Sequence, residues 1–183
     1  MTETAELPAR LGRPELAALL EGLRDLPYGG EPVDQYAHAM QAAALAERSD
    51  ADSELVLAAA LHDIGRAAAV ARAFPGPHEV SGAAFARRYI GERVAWVIAQ
   101  HVPAKRYLVA TDPDYAALLS PASVKSLRTQ GGPMTREETV MFAAHPWAGD
   151  AVELRRWDAA AKEPGDPGIP LERVLDALDS VTV

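Results

Sequence analysis

The 183-residue chain has no cysteine, which excludes disulfides, thiolate metal ligands and a cysteine nucleophile. Any metal must therefore be held by histidine and carboxylate. Lysine is nearly as scarce, confined to Lys105, Lys125 and Lys162, and the net charge is −8. So acidic a chain has no general affinity for nucleic acid or an anionic membrane, and an anionic ligand must be caught by a few placed cations. No stretch approaches about 18 uninterrupted apolar residues, so no membrane-spanning helix is expected. The opening MTETAELPAR has no apolar core of signal-peptide length, which points to the cytoplasm. Alternating β-type runs are missing too, leaving helix as the expected secondary structure. What remains is 49 % apolar and 24 % charged, the balance of a globular protein. The length suits one domain that buries roughly two-thirds of its unfolded surface.

Helix punctuation recurs along the chain. Pro14 opens LAALLEGLRDL, which ends before Pro27, and Pro32 suits the first turn of a helix reaching about Arg48. Asp52 can cap a helix over SELVLAAALHDIG, with Gly65 marking its end. Further helices are expected from His78 to about Tyr89, from Glu92 to Val102, over DPDYAALL and over SPASVKSLRTQ before Gly131-Gly132. TREETVMFAA carries a Thr135/Glu138 capping box, and WAGDAVELRRWDAAAK runs to Pro164-Gly165. The expectation is an all-α, compact single-domain helix bundle over residues 1–183. Its functional core spans about 28–162, and an amphipathic C-terminal helix covers about 170–181.

The chain has five histidines. His62-Asp63 follows the almost wholly apolar LVLAAAL segment, so a central helix carries the pair. Burying a histidine beside a carboxylate is costly unless both are satisfied, and a metal satisfies both. Helix neighbours point about 100° apart, so the two converge only at a helix end or beside a cleft. Alone, the doublet is as readily an ordinary polar contact. His38 lies mid-helix among small apolar residues, His78 opens a helix and His101 closes one. Each by itself reads as a core or cap histidine; together they form a donor set suited to iron, manganese or zinc. So many donors exceed one tetrahedral site and point to two metals. His145, before Pro146 in a loop, reads as structural.

The order His38, His62-Asp63 and a late Asp158 resembles the HD-domain superfamily, and His78 with His101 resembles its dinuclear members. Longer stretches are similar to the phosphonate-degrading HD-domain oxygenases: YGGE (28–31), HAMQAA (38–43), LAAALHDIG (57–65), HVPAKRYL (101–108), SPASVKSLRTQGGPM (120–134), EE (137–138) and LRRWDAAAK (154–162). The resemblance implies a mixed-valence Fe(II)/Fe(III) di-iron oxygenase of the same broad kind as inositol oxygenase. Such an enzyme uses O₂ to cleave the carbon–phosphorus bond of a 1-hydroxyalkylphosphonate, giving phosphate and a carboxylate. It further implies that His38, His62, Asp63 and Asp158 hold one iron, that Asp63 bridges, and that His78 and His101 hold the second. Tyr28 matches a tyrosine able to ligate the second iron, and Glu31 a residue facing the far end of the substrate. Lys105, Ser123 and Arg155 match the residues that bind the phosphonate.

The chemistry of these residues agrees. Arg155 and Asp158 are spaced i, i+3 and share a helix face. Lys105 follows His101 by four residues, although Pro103 interrupts the expected helix. An arginine fork and a lysine point charge suit a phosphonate dianion, and Ser123 lies near a proline-opened helix start where free N–H groups favour an anion. Where the family shows a histidine after HDIG this chain has Arg66, which cannot accept a proton. Arg66 is expected near the substrate's far end or paired with Glu31, either of which would disfavour an ammonium tail relative to a neutral or acidic one, or else turned to solvent. Two other classes fit part of the pattern: a metal-dependent phosphohydrolase of a nucleotide or small phosphate ester, and a non-catalytic phosphonate- or metal-binding module.

Overall fold

The computed structural model describes residues 7–181; residues 1–6, most of the stretch screened for a leader, lie outside the described residues. Those residues form eleven α-helices and one short 3-10 turn with no strand among them, and the one bridge pairing, Pro27 with Asp34, is isolated. No helix among them is long and apolar enough to cross a membrane.

At the centre is α3 (Ser53–Leu61), capped by Asp52, which accepts from the Leu55 N–H at 3.1 Å. Every residue from Leu55 to Leu61 is buried, as an all-round apolar run requires. Packed around it are α2 (Gln35–Arg48), α6 (Glu92–Thr111), α10 (Ala148–Ala160) and α11 (Leu171–Val181). Ala39, Ala42, Ala43 and Ala46 give α2 a small-residue face in the core, and α11 buries Val174, Leu175, Ala177 and Leu178 there. From α1 (Arg13–Glu21), Arg13 reaches Asp176 and Asp179 of α11 at 3.0 and 2.6 Å. A short α4 (Ala68–Ala73), not anticipated, precedes α5 (His78–Tyr89), which packs along α6. The rest is α7 (Pro113–Ala117), α8 (Pro121–Thr129) and α9 (Arg136–Ala143), the last opened by the Thr135/Glu138 capping box.

Several boundaries differ from expectation, each for a local reason. α1 stops at Glu21, well short of Pro27. α2 begins at Gln35, not near Pro32, because the Asp34 carboxylate accepts the Ala37 N–H at 2.7 Å. α6 continues through Pro103 to Thr111. Proline inside a helix costs about 3 kcal/mol, but Val102, Ala104, Lys105 and Leu108 are all buried on the far side of the kink-prone turn, and that packing outweighs it. α10 ends at Ala160 rather than at Pro164; the backbone turns at Ala161, and its carbonyl is used elsewhere.

The helix before His62-Asp63 also ends early. α3 stops at Leu61, and Ile64–Arg66 form a 3-10 turn. Gly65 therefore does not terminate a helix. A Cβ there would lie 2.0 Å from the His78 carbonyl oxygen and 2.9 Å from the Gly82 nitrogen, so only glycine lets this turn touch the start of α5. Gly65→Ala must push α5 away, at the roughly 1–3 kcal/mol typical of overpacking or more. Thermal melts should show a midpoint several degrees lower, with His78 displaced from its partners; an unchanged melt would mean the contact is soft.

Candidate dinuclear metal centre

The fold divides the six candidate ligands into two triads. His38 of α2, His62 at the end of α3 and Asp158 of α10 form one; Asp63, His78 at the start of α5 and His101 of α6 form the other. Within each, ligand atoms lie within 4.8 Å of one another. His62 keeps helical dihedrals and adjacent helical side chains point about 100° apart, so the doublet straddles both groups rather than converging on one.

Hydrogen bonding at the outer nitrogens orients the rings. His38 Nδ1 donates to the Ala161 carbonyl at 2.7 Å, His62 Nδ1 to Ala59 at 2.8 Å and His101 Nδ1 to Ile98 at 2.7 Å. A carbonyl only accepts, so each Nδ1 carries the proton and each neutral ring is left with an Nε2 lone pair. His78 Nδ1 meets the Glu79 carboxylate at 3.1 Å, with the same consequence. The free nitrogens then face each other: His38 and His62 Nε2 are 3.0 Å apart, and His78 and His101 Nε2 are 3.2 Å apart. Asp158 Oδ1 lies 3.3 Å from His38 Nε2, and Asp63 Oδ1 lies 3.1 Å from His78 Nε2. Burial holds His62 below its usual pKa, and burial with the neighbouring His62 and His78 takes His101 down to about 3. Lone pairs at such distances repel unless a cation lies among them, so the donor set fits a metal ion in each triad.

The two aspartates are anionic despite their burial. Burial works against the charge of Asp63, but His62, His78 and Arg66 outweigh it and hold the carboxyl well below its usual range. Asp158 is held down in the same way by Arg155, His38 and His62. Arg155 donates one nitrogen to Asp158 Oδ2 and Nε to the Tyr115 hydroxyl at 2.7 Å.

Both triads open on a cavity of about 640 Å³. Four cations line it (Arg66, Lys105, Arg155 and Lys162) against the three carboxylates Glu31, Asp63 and Asp158, in a chain whose overall charge is strongly negative. Lys105 and Arg155 are only 3 % and 5 % exposed, so neither is a solvated surface charge. The Lys105 Nζ donates to the Ser126 hydroxyl at 2.8 Å, and burial, with Arg155 nearby, lowers its pKa to about 8. Continuous helix through Pro103 is what carries Lys105 one turn beyond His101 into this wall.

Tyr28 stacks on the His38 ring at 3.9 Å and donates its hydroxyl to Asp158 Oδ1 at 3.0 Å. The structure thus sets it against the His38 triad, on the cavity that His78 and His101 also line. Burial and the charges of Asp158 and Asp63 raise its pKa well above the usual value, so the phenol keeps its proton. Arg66 pairs with Asp63 Oδ2 at 3.0 Å, because the 3-10 turn stacks the two at i, i+3. Of the placements expected for Arg66, contact with Glu31 is therefore not the one observed. Glu31 is occupied by Ser120, 2.6 Å away, and by Lys162, at 3.0 Å. His145 stands outside both triads, stacked on Trp96 at 3.7 Å, in keeping with a structural role.

Sequence reasoning missed several cavity residues. Ser126 and Gln130 follow Ser123, already named from the sequence, at helical spacing, so one face of α8 is a polar stripe on the cavity. Gln130, like Gln35 across the cavity, has a buried amide oxygen with no hydrogen-bond partner, left for an entering group. Lys162 lies beyond the end of α10, past the turn at Ala161, so helical spacing from Asp158 does not account for its place on the cavity.

A family model for the HD domain matches residues 36–182. The chain is 43 % identical over 142 residues to a hydroxymethylphosphonate dioxygenase of Gimesia maris, covering 74 % of this chain and 71 % of that one. It is 34 % identical over 164 residues to the [1-hydroxy-2-(trimethylamino)ethyl]phosphonate dioxygenase (glycine-betaine-forming) of Leisingera caerulea, covering 84 % of each.

Proposed function

Because this chain belongs to the HD-domain family, we propose that its two triads hold a mixed-valence pair of iron ions with which it cleaves the carbon–phosphorus bond of a small 1-hydroxyalkylphosphonate, using O₂. The observation that carries this reading is a second histidine–carboxylate triad facing the same cavity as a buried lysine and arginine. A two-metal phosphohydrolase could also use both triads, one for the attacking water and one for the leaving oxygen; the two dioxygenase relatives favour the oxygenase reading over it. Imidazole and carboxylate donors without thiolate suit iron, and chemistry with O₂ requires a redox-active metal.

The reaction balances with one O₂: the carbinol carbon ends as a carboxylate, the phosphonate as phosphate, and O₂ takes up the four electrons from the C–H and C–P bonds. His38, His62 and Asp158 would hold one iron, and His78 and His101 the other, with Asp63 bridging. Bound there, the metals supply the redox chemistry that activates O₂ and the carbinol. The protein's part is placement. Lys105, Ser123, Ser126 and Arg155 receive the phosphonate oxygens through charge-assisted and hydroxyl hydrogen bonds. This holds the carbinol carbon toward the triads in one orientation, which removes much of the entropic barrier. Tyr28 keeps Asp158 Oδ1 hydrogen-bonded until the substrate enters.

Iron-loaded protein should consume O₂ and release phosphate from hydroxymethylphosphonate in equal amounts. Phosphate release without O₂ would instead mark a hydrolase, and neither event a binding module. The pH profile adds a prediction. Anion capture needs the Lys105 ammonium, whose pKa in the ligand-free protein is about 8. The charged form prevails below that pH and is lost above it, so kcat/KM should fall as pH rises through about 8. kcat should fall at higher pH, because bound phosphonate stabilises the ammonium. Lys105→Met should abolish that limb; a profile identical in the variant would remove Lys105 from the anion site.

A further inference from the structure

A 1-hydroxyalkylphosphonate carries three groups on its reacting carbon: the hydroxyl, the phosphonate and the tail. In this cavity the triads account for the first and the Lys105–Arg155 wall for the second. The polar groups left on the cavity wall are Arg66, which pairs with Asp63, the amides of Gln35 and Gln130, and a charged corner built by Glu31, Lys162 and the edge of Tyr28, with Ser120 behind Glu31. Among the described residues lining the cavity, Glu31 is the one carboxylate outside the triads. Its charge is already matched by Lys162, and its Oε1 carries two hydrogen bonds. The Lys162 Nζ donates to Glu31 Oε1 at 3.0 Å, the Ser120 hydroxyl to the same oxygen at 2.6 Å, and both charged side chains are 13 % exposed. Lys162 Nζ also sits 3.4 Å from Ser123 Oγ and 5.5 Å from the centre of the Tyr28 ring.

We propose that the half-buried Lys162–Glu31 ion pair sets tail specificity, so that the cavity takes 1-hydroxyphosphonates with an absent or uncharged tail and rejects those with a cationic one. This rests on the reading of the preceding section. A cationic tail in this corner must either displace Lys162 from Glu31 or lie beside a like charge with no counter-ion of its own. Both penalties fall on the charged tail alone, which is how an interface discriminates by repulsion. Removing the ammonium while keeping the carboxylate inverts the corner, turning Glu31 into a partner for a ligand cation.

The test compares hydroxymethylphosphonate with 2-amino-1-hydroxyethylphosphonate on iron-loaded protein. It uses O₂ uptake for kcat/KM and anaerobic calorimetry for Kd. Wild type should favour the untailed compound, and Lys162→Met should move the ratio toward the aminated one by about tenfold or more in both measurements. Lys162→Arg should keep the wild-type ratio, and adding Glu31→Gln to Lys162→Met should return it. The ratio discounts any general weakening of phosphonate binding. Should Lys162→Met fail to fold, Glu31→Gln alone is decisive: it leaves Lys162 uncompensated and should shift preference toward a carboxylate-tailed 1-hydroxyphosphonate. A wild type that turns over both compounds with a ratio unmoved by Lys162→Met or Glu31→Gln overturns the tail assignment and leaves the oxygenase reading standing. A wild type that neither binds nor oxidises any of them overturns both.

Discussion

Replacing Asp63 with alanine is expected to empty both metal positions and to lower O₂ uptake by far more than the roughly 10–100-fold that loss of a supporting partner costs. Asp63 is the carboxylate of the His78–His101 triad, with Oδ1 3.1 Å from His78 Nε2 and 4.0 Å from His101 Nε2. It directly follows His62, a member of the other triad, and so stands where a single carboxylate can serve both metals. Its loss would leave two neutral imidazoles as the only donors of one triad and would strand Arg66, whose Nε lies 3.0 Å from Oδ2. His101→Ala removes a ligand from one triad only and should weaken mainly that metal. Iron per chain after loading, measured for both variants, separates the roles. Two irons retained by Asp63→Ala would refute the bridging assignment.

Arg155→Ala should lower kcat/KM by roughly 30-fold to several thousand-fold, the equivalent of the 2–5 kcal/mol that truncating one partner of a buried charge pair costs. Arg155 is buried, lines the cavity and is tied to both Asp158 and Tyr115. Truncation thus removes a phosphonate partner and the largest influence keeping Asp158 ionised at once. Arg155→Lys should recover little, because an ammonium cannot hold the Asp158 carboxylate, the Tyr115 hydroxyl and a phosphonate oxygen from one planar fork. A kcat/KM within a few-fold of wild type for Arg155→Ala would place the phosphonate elsewhere in the cavity.

Much of the fold was legible because helix ends obey local rules. Asp52, and Thr135 with Glu138, sit where the sequence places them, since a cap answers to N–H groups within three residues, and the uncapped starts at His78 and Glu92 follow Pro77 and Gly91, which punctuate the chain locally. The misplaced ends were those decided from a distance. Pro103 reads as a break, yet α6 passes through it because both flanks are buried. Gly65 reads as a helix stop, yet its lack of a side chain serves contact with His78 and Gly82, more than ten residues on.

The candidate site divides along the same line. The residue types, their order and the shared helix face of Arg155 and Asp158 follow from the sequence alone, because ligand chemistry and i, i+3 geometry need no tertiary information. Tertiary packing decided which ligands group together, with His62 and Asp63 parted between the two triads. It also gave Glu31 to Lys162, 131 residues away along the chain, whereas Arg66 reaches Asp63 through the local 3-10 turn. A charge withdrawn from water takes whichever counter-charge the fold brings within about 3 Å, and the packing of α2 against α10 is what brings the segment before one to the segment after the other.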